Sequence, residues 1–561
     1  MKPTFVGKSA NRLRVSHPGE ATMRPSVLVR SLITSAAMLL TIGSVHPVGA
    51  APAAQSAADP KTLVVGAAFD IKSLDPARGF EQIGGMVHKA TYDTLVTLDE
   101  TDISHIVPDL AQSWDVSPDA RTFTFHLRQG VKFQNSGNPM TSADVKWSIE
   151  RAIGIKGNPS FLLDGMTSVD APDDFTVRVN KSDPDPAFIS KGSFAVFAVL
   201  DSKTVQAHGG TNAPNAATAD TAEQWLDQNS AGTGPFIMTR YTPDTEVDVQ
   251  KFAGYWNGDA PFDRVIYRNI PQAATQKLTL QAGDIDIATE VAPDSVADLQ
   301  NDPRIKVVQS VGADIFFLLM NENPDLTSGT MSNPLVQNAI RYALDYDGIK
   351  ELVGGPGVTP PSILPVGFLG AFGPDHAFKR DISTAMSLLG QAGYPNGFNI
   401  DLQYPTNFSR SGVSFDLVAQ KIQSDLADAN INVTLKPGEI NTELANYRAG
   451  QEGLGFWLWG PDYFDSNDYL AFLPEGIVGK RANWTNSNSD ATVQQLRDQI
   501  NVETDSAKRA QLWQQAQDYL MQNGPWASVI QPGIYIATKA NIGNYAYNPA
   551  WRVNPFVLTK S

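Results

Sequence analysis

Residues 107–151 constrain the fold more than any other segment, because a strand, a turn and a helix follow one another there without a break. Apolar and polar residues alternate over 122–127, which is the period of a strand with one buried face. Residues 135–139 (Asn-Ser-Gly-Asn-Pro) are typical of a turn. Thr141 or Ser142 is then expected to cap a helix. The apolar face of that helix is formed by Val145, Ile149 and Ala152. This segment predicts a domain that mixes helices with a sheet.

The second half of the chain predicts a parallel pair of strands. Residues 398–404 and 431–435 have the composition of strands, and a helix with Val418, Ile422 and Leu426 on one face lies between them. A strand, helix and strand joined by short connections form a crossover unit. At 561 residues the chain is too long for one hydrophobic core. We therefore expect an α/β (α+β mixed) protein of two or three lobes.

The first 50 residues have the features of a leader. Arg24 and Arg30 precede an apolar run at 32–45, and a Val48-x-Ala50 site follows. This pattern predicts a secretory signal peptide that is cleaved after Ala50, and the apolar run is short for a membrane span. A membrane anchor or a buried helix is the alternative. We also expect translation to start at Met23, which would leave residues 1–22 outside the protein.

Charge and cysteine content exclude several classes of function. The formal net charge is −16, which argues against nucleic acid or an anionic membrane surface as a partner. The chain has no cysteine, which excludes disulfides, thiolate metal sites and thiol catalysis. It also excludes a lipid-anchor cysteine. With the leader, this composition predicts a soluble periplasmic protein.

The sequence gives little support to catalysis or to a bound metal. The histidines beyond residue 50 do not have metal-ligand spacing; they are His88, His105, His126, His208 and His376. Neither a nucleophile elbow nor a phosphate-binding loop is present. Asp462, Asp465 and Asp468 recur every three residues but lack the glycine and glutamate of a calcium loop. We therefore predict no enzyme activity, no cofactor and no metal site.

Four segments together resemble one large family. The order LAQSW, TFTFHLRQGVKF and TSADV within 107–151 is followed by GTGPF at 232–236, YWNG at 255–258 and LTLQAGDIDIA at 278–288. This order resembles the bacterial extracellular solute-binding proteins of family 5. The resemblance implies a periplasmic-binding-protein-like fold of two lobes joined by a hinge, with an additional subdomain on lobe I. The implied ranges are 61–100, 229–320 and 529–561 for lobe I, 101–228 for the subdomain, and 321–528 for lobe II. Crossing strands near 320 and 528 would form the hinge.

The resemblance also implies a function. Such a protein would be the periplasmic substrate-binding component of an ABC import system, capturing di-/oligopeptide-like solutes by hinge closure. It would act as a monomer and deliver its ligand to an ABC permease and ATPase complex. A nickel chelate, haem, an opine or a sugar is the alternative ligand. A secreted hydrolase, or a chemoreceptor partner without transport, would be a different class.

Residues 455–470 (GFWLWGPDYFDSNDYL) resemble the ligand-binding segment of this family. By that resemblance Asp462 pairs with the α-ammonium group of a peptide, although its Gly-Pro-Asp context is also typical of a turn. Strand alternation places Trp459 on one face with Trp457, and Phe456 on the other. We expect Trp459 and Tyr463 to contact ligand, with core packing as the alternative. Arg410 matches the carboxylate-binding arginine of dipeptide-binding members, unless it is a solvated loop residue.

Overall fold

The structure is a computed structural model that describes residues 61–561. The predicted signal peptide and the expected start at Met23 lie outside the described residues. Helices and sheets are mixed throughout, which confirms the predicted class. Within residues 61–561 no helix is both long and apolar enough to cross a bilayer.

The largest sheet has seven strands. Its central strand, Thr62–Ala67, runs parallel to Arg264–Asn269 and to Ile287–Ala288, and the outer pairs are antiparallel. In spatial order the strands are Ile305–Val311, Gly533–Lys539, Ile287–Ala288, Thr62–Ala67, Arg264–Asn269, Glu246–Lys251 and Phe236–Thr242. These strands come from three separate stretches of the chain, and the last one to be added begins at Gly533.

The four-stranded antiparallel sheet contains the segment that opened the sequence analysis. Its strands, in spatial order, are Ala111–Val116, Thr122–Leu127, Thr176–Lys181 and Met166–Asp173. Phe123 and Phe125 are buried, as the alternation predicted. The helix Ser142–Ile155 packs on the sheet and begins with a capping box, in which the Thr141 backbone N–H donates to the Asp144 carboxylate. The predicted strand, turn and helix are therefore confirmed.

The third large sheet has five strands. In spatial order these are Ile431–Gly438, Phe398–Pro405, Leu454–Trp459, Ile315–Met320 and Trp526–Ile530. Phe398–Pro405 pairs in parallel with Ile431–Gly438, and Phe415–Ala427 is the helix between them, which confirms the predicted crossover unit. Ile315–Met320 belongs to this sheet, although the range implied for lobe I extends to residue 320.

The remaining elements cover or connect the three sheets. Two-stranded ribbons pair Val96–Leu98 with Ile106–Pro108, Ser409–Arg410 with Val413–Ser414, and Ile542–Gly543 with Thr559–Lys560. The other α-helices are Gln82–Thr91, Phe188–Lys191, Ser202–Ala207, Ala216–Ala219, Glu223–Leu226, Ala273–Ala282, Val296–Gln300, Pro324–Thr327, Pro334–Ala343, Tyr346–Val353, Ile382–Gln391, Ile440–Arg448, Ile477–Arg481, Ala491–Ile500 and Ser506–Gln522. Short 3₁₀ turns are formed by Asn158–Leu163, Ala195–Phe197, Pro293–Ser295, Pro374–His376 and Ser466–Phe472.

The chain crosses directly between the seven-stranded and five-stranded sheets at two places. Residues 312–314 join Ile305–Val311 to Ile315–Met320, and residues 531–532 join Trp526–Ile530 to Gly533–Lys539. The crossings are side by side: the Gly312 N–H donates to the Pro532 carbonyl at 2.9 Å, and the Gln531 amide donates to the Gly312 carbonyl at 2.8 Å. The lobe boundaries themselves stay predictions.

Candidate functional site

A cavity of about 500 Å³ lies beside the crossing at residues 312–314. One wall comes from segments that follow strands of the five-stranded sheet, and the facing wall comes from the helix Gln82–Thr91 and from residues 547–552. Its charged lining residues are Glu81, Lys89, Asp109, Asp314, Arg410, Asp462 and Arg552. A cavity of this size, beside two crossing segments, is typical of a site for a small solute.

A second cavity of about 810 Å³ adjoins the first. Both cavities share a wall formed by Phe80, Glu81, Gln82, Arg410, Ser411, Ile534 and Arg552. The second cavity also has Asp70 and Glu290 in its lining. The shared wall makes the two cavities parts of one cleft, so a ligand longer than the first cavity has space to continue into the second.

Asp462 lines the first cavity, as expected for a ligand-contacting residue. The strand Leu454–Trp459 ends just before Gly460 and Pro461, which line the cavity together with Asp462. Burial raises the pKa of its carboxyl, and the charge of Arg481 opposes that shift. Within residues 61–561 no side chain forms an ion pair with this carboxylate or donates a hydrogen bond to it. A half-buried, unpaired carboxylate favours a cationic partner.

Asp468 holds the turn that presents Asp462. Its Oδ2 accepts hydrogen bonds from the Trp459 indole at 2.9 Å and from the Asp462 backbone N–H at 3.2 Å. Complete burial raises the pKa of the Asp468 carboxyl well above its ordinary value, and the nearby Asp462 charge adds to the shift. Asp465 accepts a hydrogen bond from the Asn467 N–H and caps the turn Ser466–Phe472.

Trp459 and Tyr463 lie next to the turn, but neither is among the residues that line the two cavities. Trp459 packs edge to face on Phe472, with ring centroids 5.6 Å apart. Tyr463 packs against the core of the four-stranded sheet, with the Lys191 ammonium 4.8 Å from its ring centroid. Neither ring is part of the cavity lining, and their contact with ligand stays a prediction.

Arg410 lines both cavities, so the structure brings it to the same cleft as Asp462. Its Nε donates to Asp314 Oδ2 at 3.2 Å, and the Ser411 hydroxyl donates to the same oxygen at 2.7 Å. The Arg410 side chain is 53 % exposed. Arg410 is thus a partly exposed cation next to a crossing segment, and a ligand carboxylate has access to it.

The sequence reasoning missed the residues of the facing wall. Phe80, Glu81, Lys89, Trp551 and Arg552 line the cleft from the side of the seven-stranded sheet. They come from opposite ends of the described chain. No spacing or periodicity in the sequence connects them, so only the fold places them together.

The described residues do not form an obvious metal centre. Within 61–561 no group of three or more histidine, cysteine, aspartate or glutamate side chains is arranged to hold an ion. His88, which lies in the cavity lining, is buried and its Nε2 is 3.0 Å from the Leu74 carbonyl. Burial lowers the pKa of its imidazole.

The sheets, the two crossings and the cleft between them define a class, the two-lobed periplasmic binding proteins. The structure of HbpA2 from Haemophilus parasuis has a TM-score of 0.78 at 24 % identity, covering 89 % of this chain and 100 % of that one. The periplasmic binding protein DppA from Helicobacter pylori, in complex with the peptide STSA, has a TM-score of 0.68 at 26 % identity, covering 89 % and 98 %.

Sequence comparison is more specific. Residues 105–476 match the model of the bacterial extracellular solute-binding proteins, family 5. The chain belongs to this family. It is 27 % identical to heme-binding protein A of Haemophilus influenzae over 79 % of this chain and 82 % of that protein. It is 25 % identical to the probable D,D-dipeptide-binding periplasmic protein DdpA of Escherichia coli over 89 % and 94 %. These relatives are named as binding proteins and not as enzymes.

Proposed function

We propose that this protein is the periplasmic substrate-binding component of an ABC importer and captures di-/oligopeptide-like solutes in the cleft between its sheets. The observation that carries the proposal is the unpaired Asp462 carboxylate on the wall of that cleft. A peptide supplies the α-ammonium group that such a carboxylate selects. Closure of the two lobes would expel water from the cleft and strengthen this pairing.

The other end of the peptide would pair with Arg410. Its planar guanidinium group suits a carboxylate, and it lines the same cleft as Asp462. Arg410 pairs with Asp314, so a ligand carboxylate has to replace that contact. The two adjoining cavities leave space for side chains, where water can adapt the hydrogen bonds to different residues.

The names of several relatives support a peptide, and others support different ligands. A di/tripeptide-binding protein of Pseudomonas aeruginosa is 26 % identical over 80 % of this chain, whereas heme-binding protein A is named for haem. Asp462 favours the peptide, because a carboxylate without a partner is unfavourable next to the acid groups of an anionic ligand. A haem, opine, sugar or nickel chelate remains the alternative outcome of the test below.

The test is native mass spectrometry of the protein purified from the periplasm, followed by denaturation to identify what it carries. We expect a set of short peptides. Asp462→Asn should lower their affinity about 30-fold or more, because the ammonium loses its charged partner. Asp518→Asn, which makes the same change at an exposed helix position, is the matched control. A single non-peptide compound that the Asp462→Asn variant still carries would contradict the proposal.

Export and partners follow from the same proposal. N-terminal sequencing of the secreted protein should begin at Ala51, and a precursor that starts at Met23 should be exported normally. Uptake of the identified peptide should require the permease and its ATPase. Export without cleavage, or uptake that does not depend on the permease, would contradict this part.

A further inference from the structure

The two predicted anchors lie on the same side of the cleft. Asp462 follows the strand Leu454–Trp459, and Arg410 lies between Phe398–Pro405 and the helix Phe415–Ala427, so both belong to the five-stranded sheet. A ligand shifts an open–closed equilibrium only if it interacts more favourably with the closed state. Ligand groups must therefore also bind residues on the side of the seven-stranded sheet.

Trp551 and Arg552 are cleft residues on that side that each have a buried donor without a partner among residues 61–561. Both line the first cavity, and Arg552 lines the second as well. Trp551 is 4 % exposed, and within residues 61–561 its indole Nε1–H has no hydrogen-bond partner. The buried Nε–H of Arg552 also has no partner among these residues. Buried donors of this kind are costly unless an acceptor reaches them.

The backbone at Arg552 is held in an unfavourable conformation. Its φ is +54°, in the left-handed region that residues with a side chain seldom adopt. The Arg552 N–H donates to the Asn548 carbonyl at 2.7 Å, and the Tyr545 hydroxyl donates to the Arg552 carbonyl at 2.8 Å. Asn548 in turn donates to the Asp99 carbonyl at 3.0 Å. Strain that a surrounding network maintains is a feature of ligand-binding positions.

Arg410 and Arg552 both belong to the wall that the two cavities share. Each is paired with an acid in this structure. Arg410 Nε is 3.2 Å from Asp314, and Arg552 Nη1 is 3.5 Å from Glu290.

We propose that Arg552, with the indole N–H of Trp551, binds a ligand carboxylate from the side of the seven-stranded sheet, while Arg410 binds the same carboxylate from the other side. The proposal rests on the proposed peptide-binding function and adds the group that connects the two sides. A ligand carboxylate would give each guanidinium group a charge-assisted contact in place of its present acid partner. The carboxylate thereby couples ligand binding to closure. The ligand class is a peptide or peptide-like compound with a free carboxylate.

The test compares L-alanyl-L-phenylalanine with its C-terminal amide by isothermal titration calorimetry, using protein freed of copurified ligand. The wild type should bind the acid about tenfold or more tightly than the amide. Arg552→Gln should lose about tenfold for the acid and about twofold or less for the amide, which removes the preference. Trp551→Phe keeps the ring beside Lys89, whose ammonium lies 4.4 Å from its centroid, and should lose part of the preference.

Glu290→Gln is a second test variant, because Glu290 lines the cleft and pairs with Arg552. It removes the acid that pairs with Arg552 but leaves the guanidinium group, so the preference for the acid should persist or increase. Small-angle X-ray scattering should show that the acid compacts the wild type more than it compacts Arg552→Gln. A purely structural role for Arg552 would lower the affinity for acid and amide equally.

The outcomes separate this inference from the function it rests on. A wild type that binds neither probe at about 1 mM overturns the peptide function and the inference with it. Equal affinity for acid and amide leaves peptide capture in place but overturns the carboxylate contact. A preference that survives in Arg552→Gln and disappears in Arg410→Gln assigns the carboxylate to Arg410 alone and overturns the role of Arg552.

Discussion

Glu452 makes the stability of this protein depend on pH in a direction that can be worked out from the structure. The residue is 1 % exposed and is separated by Gly453 from the strand that leads to Asp462. Its Oε2 accepts a hydrogen bond from the Trp457 indole at 2.5 Å, while Oε1 has no partner within residues 61–561. Burial raises the pKa of the Glu452 carboxyl to about 8; the Trp457 hydrogen bond opposes the rise, and the charge of Glu443 adds to it.

The magnitude follows from the two pKa values. An ordinary glutamate titrates near 4.5, so the rise to about 8 corresponds to about 5 kcal/mol. Between these two pH values the Glu452 carboxyl is protonated in the folded state and ionised in the unfolded state. The free energy of unfolding should therefore decrease as pH rises from 4.5 to about 8 and level off above that. Glu452→Gln stays neutral at every pH and should lose this component of the decrease.

The assay is urea unfolding, followed by tryptophan fluorescence, at each pH from 5 to 9. Relative to the wild type, Glu452→Gln should gain stability steadily as the pH rises, by an amount on the order of several kcal/mol. Glu351→Gln makes the same change at an exposed position and should leave the wild-type profile unaltered. Profiles for wild type and Glu452→Gln that stay parallel from pH 5 to pH 9 would refute the reasoning.

Two further predictions concern the cleft. Arg552→Gly removes the left-handed strain at φ +54° and should raise the free energy of unfolding by about 1 kcal/mol. The same variant should lose the preference for a peptide acid over its amide. Urea unfolding and calorimetry on one preparation measure the two effects, and a clear loss of stability would contradict the assigned strain. Burial raises the pKa of the Asp462 carboxyl, so on acidification this carboxylate should be protonated at a higher pH than an ordinary aspartate, and peptide affinity should fall with it. Calorimetry from pH 7 to pH 4 tests this. An unchanged affinity of the wild type over that range would exclude Asp462 as the ammonium partner.

The local elements of the fold were predictable where one face of an element is buried. The alternation at Thr122–Leu127 and the apolar stripe of the helix Phe415–Ala427 both report contact with a core, and both elements have the predicted type. The crossings between the sheets depend on the resemblance alone. It implied crossing strands near 320 and 528, and the chain passes between the two sheets at 312–314 and 531–532, since the strands Ile315–Met320 and Trp526–Ile530 lie wholly within the five-stranded sheet.

The candidate site was only half predictable. Alternation correctly separated Phe456 from Trp457 and Trp459, which belong to hydrophobic clusters on opposite faces of the strand. It did not reveal whether a face meets a ligand or a neighbouring helix, because both surroundings are apolar. No pattern in the sequence indicated that Trp551 and Arg552 would line the cleft. Their position depends on an irregular segment tied by hydrogen bonds to residues about 450 positions earlier in the chain.

The crossing segment at residues 312–314 also lines the first cavity of the cleft. Asp314 lies in the crossing at 312–314 and lines the first cavity, where it accepts hydrogen bonds from Arg410 and from Ser411. Under the proposed function, a ligand carboxylate that pairs with Arg410 would take a partner away from Asp314 and so alter the hydrogen bonds of the crossing itself. Anchoring of the ligand would then also change the segment about which the two sheets would rotate, with no relay through intervening residues required.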